Sequence, residues 1–288
     1  MDKKHLKNLF DVNYLPKIDL SLTDIPTAAQ EMAGKMSISG VQPKLSMKLD
    51  KKNGTLEVAG EGGEYILKPQ LQTFNNIPQN ENLCMDIAAS LGIQVPPHAL
   101  VSLKDNSLAY IVKRFDRIKK EKLHQENFFQ ILGEKDKYKG SMEKIGKKLK
   151  EISEIPGFDA QLFFERILYF FIIGNGDAHL KNFSIIYDKE NFIRLSPAYD
   201  IVSSKLVIPH EEDSALTING KKNNLARKDF DELVNALKIN SKASYKNILG
   251  SIKTIDRLIK NSLLTDEEKK SLSSIVKERA LRLSKQTS

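Results

Sequence analysis

The chain has 288 residues, 40% of them apolar and 28% charged, a globular balance rather than a disordered one. Its single cysteine, Cys84, excludes an intramolecular disulfide framework and any multi-cysteine zinc site. Lys and Arg number 45 against 37 Asp and Glu, a formal charge of +8 that invites polyanionic partners but is spread thinly along the chain.

No apolar run approaches the roughly 20 residues that span a bilayer. The N-terminal MDKKHLKNLF lacks the apolar stretch of a signal peptide. A cytoplasmic protein with no membrane partner is expected.

Turn signals at Pro16 and Pro26 flank alternating Ile18 and Leu20. Leu45 to Leu49 alternate as a strand. Lys51-Lys52-Asn53-Gly54 supplies a hairpin turn, with Thr55 to Ala59 as the returning strand. Glu64 to Lys68 is another strand, closed by Pro69. Glu81 to Leu91 repeats Leu83, Ile87, Ala88 and Leu91 on one helical face, with Gly92 as a stop. Two strands follow Pro96-Pro97, at Ala99 to Leu103 and Leu108 to Lys113, joined through Asp105-Asn106.

Beyond Arg117 the helical period dominates, at Gln125 to Leu132, Met142 to Glu151 and Asp159 to Ile173. Gly174-Asn175-Gly176-Asp177 reads as a loop. Phe183 to Tyr187 and Phe192 to Leu195 read as two strands, connected by Asp188 to Asn191. From Lys228 the tail is helical again, and Thr265 with Glu268 forms the capping box of a last helix toward Leu283. The expected fold class is α+β: a small strand-rich part over residues 1–115 and a larger, mainly helical part over 116–288 with a hairpin in its middle.

The chemical signal lies around that hairpin. Asp177-Ala178-His179-Leu180-Lys181-Asn182 has the D-x-x-x-x-N spacing of a kinase catalytic loop, and Asp200 follows the two strands. In such a site the first Asp takes or positions the acceptor's hydroxyl proton. The Asn and the second Asp hold magnesium on the nucleotide phosphates. Both are oxygen donors, the type a hard cation prefers. Asp, His and Asn beside glycines are also ordinary loop formers, so the order of the pieces carries the reading. Upstream, Tyr65-Ile66-Leu67-Lys68 ends a strand in lysine, like the kinase V-A-I-K element, and Glu81 on the next helix is its candidate partner. Ser37-Ile38-Ser39-Gly40-Val41-Gln42-Pro43-Lys44 offers small residues and a cation to phosphate oxygens. Lys113, Arg114 and Phe115 end the last strand of the small part, where kinases bind adenine.

Taken together, SISGVQPKLSM, YILKPQ, NENLCMDIAASLGIQVP, YIVKRFDR, GNGDAHLKNFSII and LSPAYDIVSS resemble, in order, the HipA family of serine/threonine kinase toxins. The resemblance covers residues from about 36 to 204 and implies a two-lobed protein-kinase-like fold using ATP and Mg2+. It implies Asp177 as the catalytic aspartate, Asn182 and Asp200 as magnesium ligands, and Lys68 as the lysine on the nucleotide phosphates. Ser39, Gly40, Val41, Gln42, Pro43 and Lys44 match the phosphate loop, and Lys113, Arg114 and Phe115 the adenine side. His179, Leu180, Lys181 and Asn182 complete the nucleotide site, with His179 read as a brace of the loop rather than a base.

Two features resemble the short HipT type. The phosphate loop begins by Ser37, without the N-terminal subdomain of roughly a hundred residues found in full-length members. The loop also reads Ser-Ile-Ser, which implies Ser37 and Ser39 as autophosphorylation sites. The type implies a HipS-like small protein and a HipB-like DNA-binding antitoxin as partners, so that DNA is reached only through the antitoxin. The implied substrate is a serine of an aminoacyl-tRNA synthetase, the tryptophanyl enzyme favoured. The competing expectations are a basic nucleic-acid-binding module, a nucleotide-binding regulator without catalysis and a kinase of small molecules.

Overall fold

The computed structural model describes residues 1–33, 43–71, 73–118 and 121–285. The chain divides into two units, residues 1–82 with 96–122, and residues 83–95 with 123–288.

The first unit is built on a five-stranded sheet. It opens with two helices, α1 (Lys3–Phe10) and α2 (Ile25–Ala33). The sequence reading missed α1. Asp2 caps its first turn by accepting from the His5 amide at 2.8 Å. Leu6, Leu9 and Phe10 then bury one face of α1 in the core of this unit. Strands β1 (Leu45–Asp50), β2 (Thr55–Val58) and β3 (Tyr65–Pro69) follow, then α3 (Ile77–Ser90), which starts in the first unit and ends in the second. Strands β4 (His98–Ser102) and β5 (Leu108–Lys113) complete the sheet in the order β2-β1-β3-β5-β4, with every neighbouring pair antiparallel. Gly54 closes the first hairpin at φ +68°, and Asp50 pairs with Thr55 as the Asn-Gly signal implies. Helix α3 begins four residues earlier than its apolar pattern indicates, because Pro78 suits a first helical turn. A short ribbon, β6 (Arg117–Ile118) and β7 (Glu121–Lys122), ends the unit.

The second unit corrects one expectation. Residues 125–132 are not a single helix: β8 (Gln125–Asn127) pairs with a later strand, and only α4 (Phe128–Ile131) is helical. Asn127 accepts from the Gln130 amide at 3.0 Å, and Gln130 reaches back to the Asn127 amide at 3.0 Å. That capping box starts the helix after the strand instead of through it.

Helices α5 (Met142–Ile152) and α6 (Pro156–Ile173) come next. From Ile167 to Ile173, α6 is apolar on all sides and buried, as a central core helix must be. Strands β9 (Ser184–Tyr187) and β10 (Ile193–Leu195) form the expected hairpin, giving a sheet ordered β10-β9-β8. The remaining regular elements are helices: α7 (Ser204–Val207), α8 (Arg227–Leu237), α9 (Lys242–Gly250), α10 (Ile252–Lys260) and α11 (Asp266–Ser284). The Thr265–Glu268 capping box opens α11.

Arg279 of α11 donates to the Phe171 carbonyl at 2.7 Å and to Asp213 at 3.1 Å, which ties the C-terminal helix to α6. Burial opposes the Asp213 charge, but hydrogen bonding from Arg282 and the charge of Arg279 outweigh it, holding the carboxyl below its ordinary range. No helix among the described residues is long and apolar enough to cross a membrane.

Candidate functional site

Helix α6 delivers the loop that carries Asp177. Gly174 ends the helix in the left-handed region, at φ +74°, and its amide returns to the Phe170 and Phe171 carbonyls. At the loop's far end, Phe183 packs edge-on against Phe163, with ring centroids 5.3 Å apart, so both ends are fixed to the same helix.

Within the loop, Ser204 Oγ accepts from the Gly176 amide at 2.8 Å and the Asp177 amide at 3.2 Å, and donates to Glu211 Oε2 at 2.5 Å. Burial, with the nearby Asp177 charge, pushes the Glu211 carboxyl above its ordinary range despite the Ser204 hydrogen bond. Gly176 is required by space: a Cβ there would lie 2.4 Å from both Glu211 Oε2 and the Glu212 carbonyl oxygen.

The hairpin returns Asp200 to this loop. Asp159 anchors it, receiving Arg194 at 2.9 Å, the Leu195 amide at 2.9 Å and Ser153 Oγ at 2.6 Å. The Tyr199 hydroxyl contacts Ser184 Oγ and the Lys181 carbonyl, fixing the residue before Asp200 to both β9 and the loop. Asp200 itself holds a left-handed backbone at φ +58°, a conformation costly for a non-glycine residue and concentrated at functional sites. Its Oδ2 receives Asn182 Nδ2 at 3.1 Å. Asn182 Oδ1 accepts from the His179 amide at 3.0 Å and keeps a second lone pair. These two side chains present the amide and carboxylate oxygens that suit magnesium, which takes one or two protein ligands and completes its shell with phosphate and water.

His179 is buried at 7% exposure, with Lys137 Nζ 2.8 Å from its Nε2. Burial comes first in lowering its pKa, and Lys137 adds to the effect, so the ring is neutral and accepts at Nε2. That geometry suits a brace. Leu180 is buried, while Lys181 is exposed with its ammonium 4.8 Å over the Phe129 ring. The second unit thus brings Asp177, His179, Leu180, Lys181, Asn182 and Asp200 into one loop and its neighbouring turn. The sequence reading missed Tyr138, whose hydroxyl donates to Asp177 Oδ1 at 2.8 Å, along with Ser204 and Glu211. No motif marks Tyr138 or Glu211, and Ser204 closes the LSPAYDIVSS segment without being singled out there.

In the first unit, Lys68 points its ammonium at Glu81 Oε1 across 2.5 Å, and the two side chains are only 5% and 1% exposed. The Tyr110 ring lies 5.6 Å from the same ammonium. Of the adenine-side candidates, Lys113 is engaged with Asp11 at 2.9 Å. Arg114 forms a two-pronged pair with Asp116, at 2.9 and 2.8 Å, and Phe115 is half-buried. Pro43 is half-buried and Lys44 exposed, at the entry to β1. Ser37, Ser39, Gly40, Val41 and Gln42 lie outside the described residues.

Comparison with known proteins bears on both the fold and the family. Residues 36–263 match the family model described as HipA-like C-terminal domain. A Haemophilus influenzae protein named "Putative kinase" is 34% identical over 69% of this chain and 61% of its own length. The Sinorhizobium fredii protein named "Putative kinase Y4dM" is 35% identical over 85% of this chain and 62% of its own. This chain therefore spans about three fifths of the length of these curated relatives.

Two solved structures share the fold. One is HipA in the Shewanella oneidensis MR-1 toxin–antitoxin complex of HipA, HipB and operator DNA (TM-score 0.70, 20% identity, 86% of this chain and 64% of that one). The other is the Helicobacter pylori proinflammatory kinase CtkA (TM-score 0.58, 18% identity, 85% of this chain and 90% of that one). With its motifs, α+β kinase-like fold and family match in agreement, the chain belongs to the HipA-like C-terminal domain family.

Proposed function

We propose that this protein is an ATP-dependent serine/threonine kinase that uses Mg2+ and acts as the toxin of a toxin–antitoxin system. The observation that carries the reading is the Asn182–Asp200 contact, with Asp200 in a left-handed backbone two strands beyond Asp177. This arrangement supplies an acceptor-side carboxylate and a pair of magnesium-type oxygens from one loop and one hairpin. Bound magnesium would neutralise phosphate charge. Lys68, oriented by Glu81, would take the nucleotide phosphates, and Asp177 would take the proton of the acceptor hydroxyl. Catalysis would then rest on positioning and charge neutralisation, without a covalent enzyme intermediate.

The finer assignments follow the sequence resemblance. The chain is read as the HipT type, phosphorylating a serine of an aminoacyl-tRNA synthetase, with the tryptophanyl enzyme favoured over the glutamyl one. Loss of charged tRNA would then stop translation. Ser37 and Ser39 are read as autophosphorylation sites, where a phosphate adds about two negative charges beside the nucleotide and weakens its binding. A HipS-like protein and a HipB-like DNA-binding antitoxin are the partners, and the cytoplasm is the compartment. The solved HipA–HipB–DNA complex supports the antitoxin part by analogy.

The test is transfer of label from Mg·[γ-32P]ATP to purified tryptophanyl- and glutamyl-tRNA synthetases, each assayed separately. Serine phosphorylation of the tryptophanyl enzyme with loss of its aminoacylation supports the assignment. Label on neither synthetase, from a chain that phosphorylates itself, removes the substrate and leaves the kinase.

A further inference from the structure

Residues 136–138 lie between α4 and α5 and grip the Asp177 loop at three successive points. The Lys137 carbonyl accepts from the Leu180 amide at 3.1 Å, and the Lys137 ammonium reaches His179 Nε2 at 2.8 Å. The Tyr138 hydroxyl donates to Asp177 Oδ1 at 2.8 Å. The Tyr138 ring meets the His179 ring edge-on at 5.3 Å and has the Lys137 ammonium 4.7 Å from its centroid. The Tyr138 amide donates to Asp136 Oδ1 at 2.9 Å, so the strap itself is held in a turn.

Beside this strap is a cavity of about 390 Å3, lined by Asp177, Tyr138, Ser204, Ile208, Glu211 and Lys222 among others. Asp177 is half-buried at its edge. Its Oδ1 is taken by Tyr138, while Oδ2 has no hydrogen-bond partner among the described residues. A carboxylate held by one oxygen cannot rotate freely, and the other oxygen stays open to a donor.

We propose that Tyr138 is a positioning residue for phosphoryl transfer: its hydroxyl fixes Asp177 through Oδ1, so that Oδ2 receives the proton of an acceptor hydroxyl entering from the adjoining cavity. The proposal rests on the kinase reading above. In the step it serves, the acceptor O–H bond breaks and its proton passes to Oδ2. A bond forms between the acceptor oxygen and the γ-phosphorus. The bond from that phosphorus to the β–γ bridging oxygen breaks, ADP leaves with the electron pair, and Asp177 later returns the proton to solvent.

Burial and the hydrogen bond to Asp177 push the phenol pKa up to about 12, so Tyr138 stays a donor throughout the working range of a kinase assay.

The test is Tyr138→Phe, which keeps the ring on His179 and removes only the hydroxyl. The 288-residue chain is incubated with Mg·[γ-32P]ATP and its self-labelling rate is measured as a function of ATP concentration. Mg·ATP affinity and melting temperature are measured in parallel. The expected result is a maximal rate lower by about ten- to a hundredfold, with the KM for ATP, the affinity and the melting temperature unchanged.

A Tyr138→Phe chain that labels at the wild-type rate or faster overturns the positioning role and leaves the kinase standing. A wild-type chain with no Mg·ATP-dependent label overturns the kinase reading, and the positioning role with it.

Discussion

Replacing Lys68 with methionine separates what this lysine does for stability from what it does for nucleotide. Its ammonium is 2.5 Å from Glu81 Oε1, and the partners are 5% and 1% exposed. Removing one member of such a pair strands a buried charge, which costs about 3–5 kcal/mol. Removing both charges together is often neutral or even stabilising. Lys68→Met should therefore lose about 3–5 kcal/mol in urea unfolding. The double variant Lys68→Met with Glu81→Leu should recover to within about 1 kcal/mol of wild type, since both replacements fill apolar volume. Calorimetric titration with Mg·ATP should find binding severely weakened in both variants, because neither retains the cation. A single variant as stable as wild type would contradict the buried-pair argument. A double variant that regains ATP affinity would show that Lys68 has no part in holding phosphates.

Two further outcomes follow from the Asp177 loop. Gly176→Ala places a Cβ 2.4 Å from the Glu212 carbonyl oxygen, where backbone must move; the cost should be about 1–3 kcal/mol in unfolding. Displacing Asp177 by about 1 Å should also lower self-phosphorylation by about a hundredfold, and a stable, fully active variant would contradict the packing argument. Glu211 has its pKa raised by burial, so the folded chain binds its proton more tightly than the unfolded chain does. Its contribution to stability should fall as pH climbs from the ordinary glutamate value through the raised one. Melting curves across that window should show the fall in wild type and not in Glu211→Gln, whereas parallel profiles would count against it.

How much of this was legible in the sequence depended on how far apart the partners lie. The β1–β2 hairpin was legible because Asn53-Gly54 sits between two alternating runs, so turn and strands lie within fifteen residues of one another. Asp177, Asn182 and Asp200 were legible as an ordered set, because the hairpin separating the last two returns the chain on itself. Glu81 was found as the partner of Lys68 because kinase-like order places a glutamate on the next helix.

Tyr138 lies 39 residues from Asp177, and Ser204 lies 27 from it; no periodicity or spacing rule announces either contact. Residues 125–127 were mistaken for helix because Phe128, Phe129 and Ile131 carry the helical pattern just beyond them. Their strand exists through pairing with residues 184–186, some sixty positions away. Helix α1 has only eight residues and gains its stability from Leu6, Leu9 and Phe10 packed on the sheet, with Phe10 5.5 Å from Tyr65. The Lys113 side chain pairs with Asp11, about a hundred positions back in the segment after α1, another contact that no spacing rule announces.

The most direct test of the central claim is the intact mass of the purified chain after incubation with Mg·ATP, beside an Asp177→Gln control and with any phosphate located by peptide mapping. The account predicts phosphate on the wild-type chain, at Ser37 or Ser39, and none on the control. Equal phosphate on both chains would contradict the role given to Asp177. Phosphate on neither, with no change in melting temperature on adding Mg·ATP, would contradict the kinase itself.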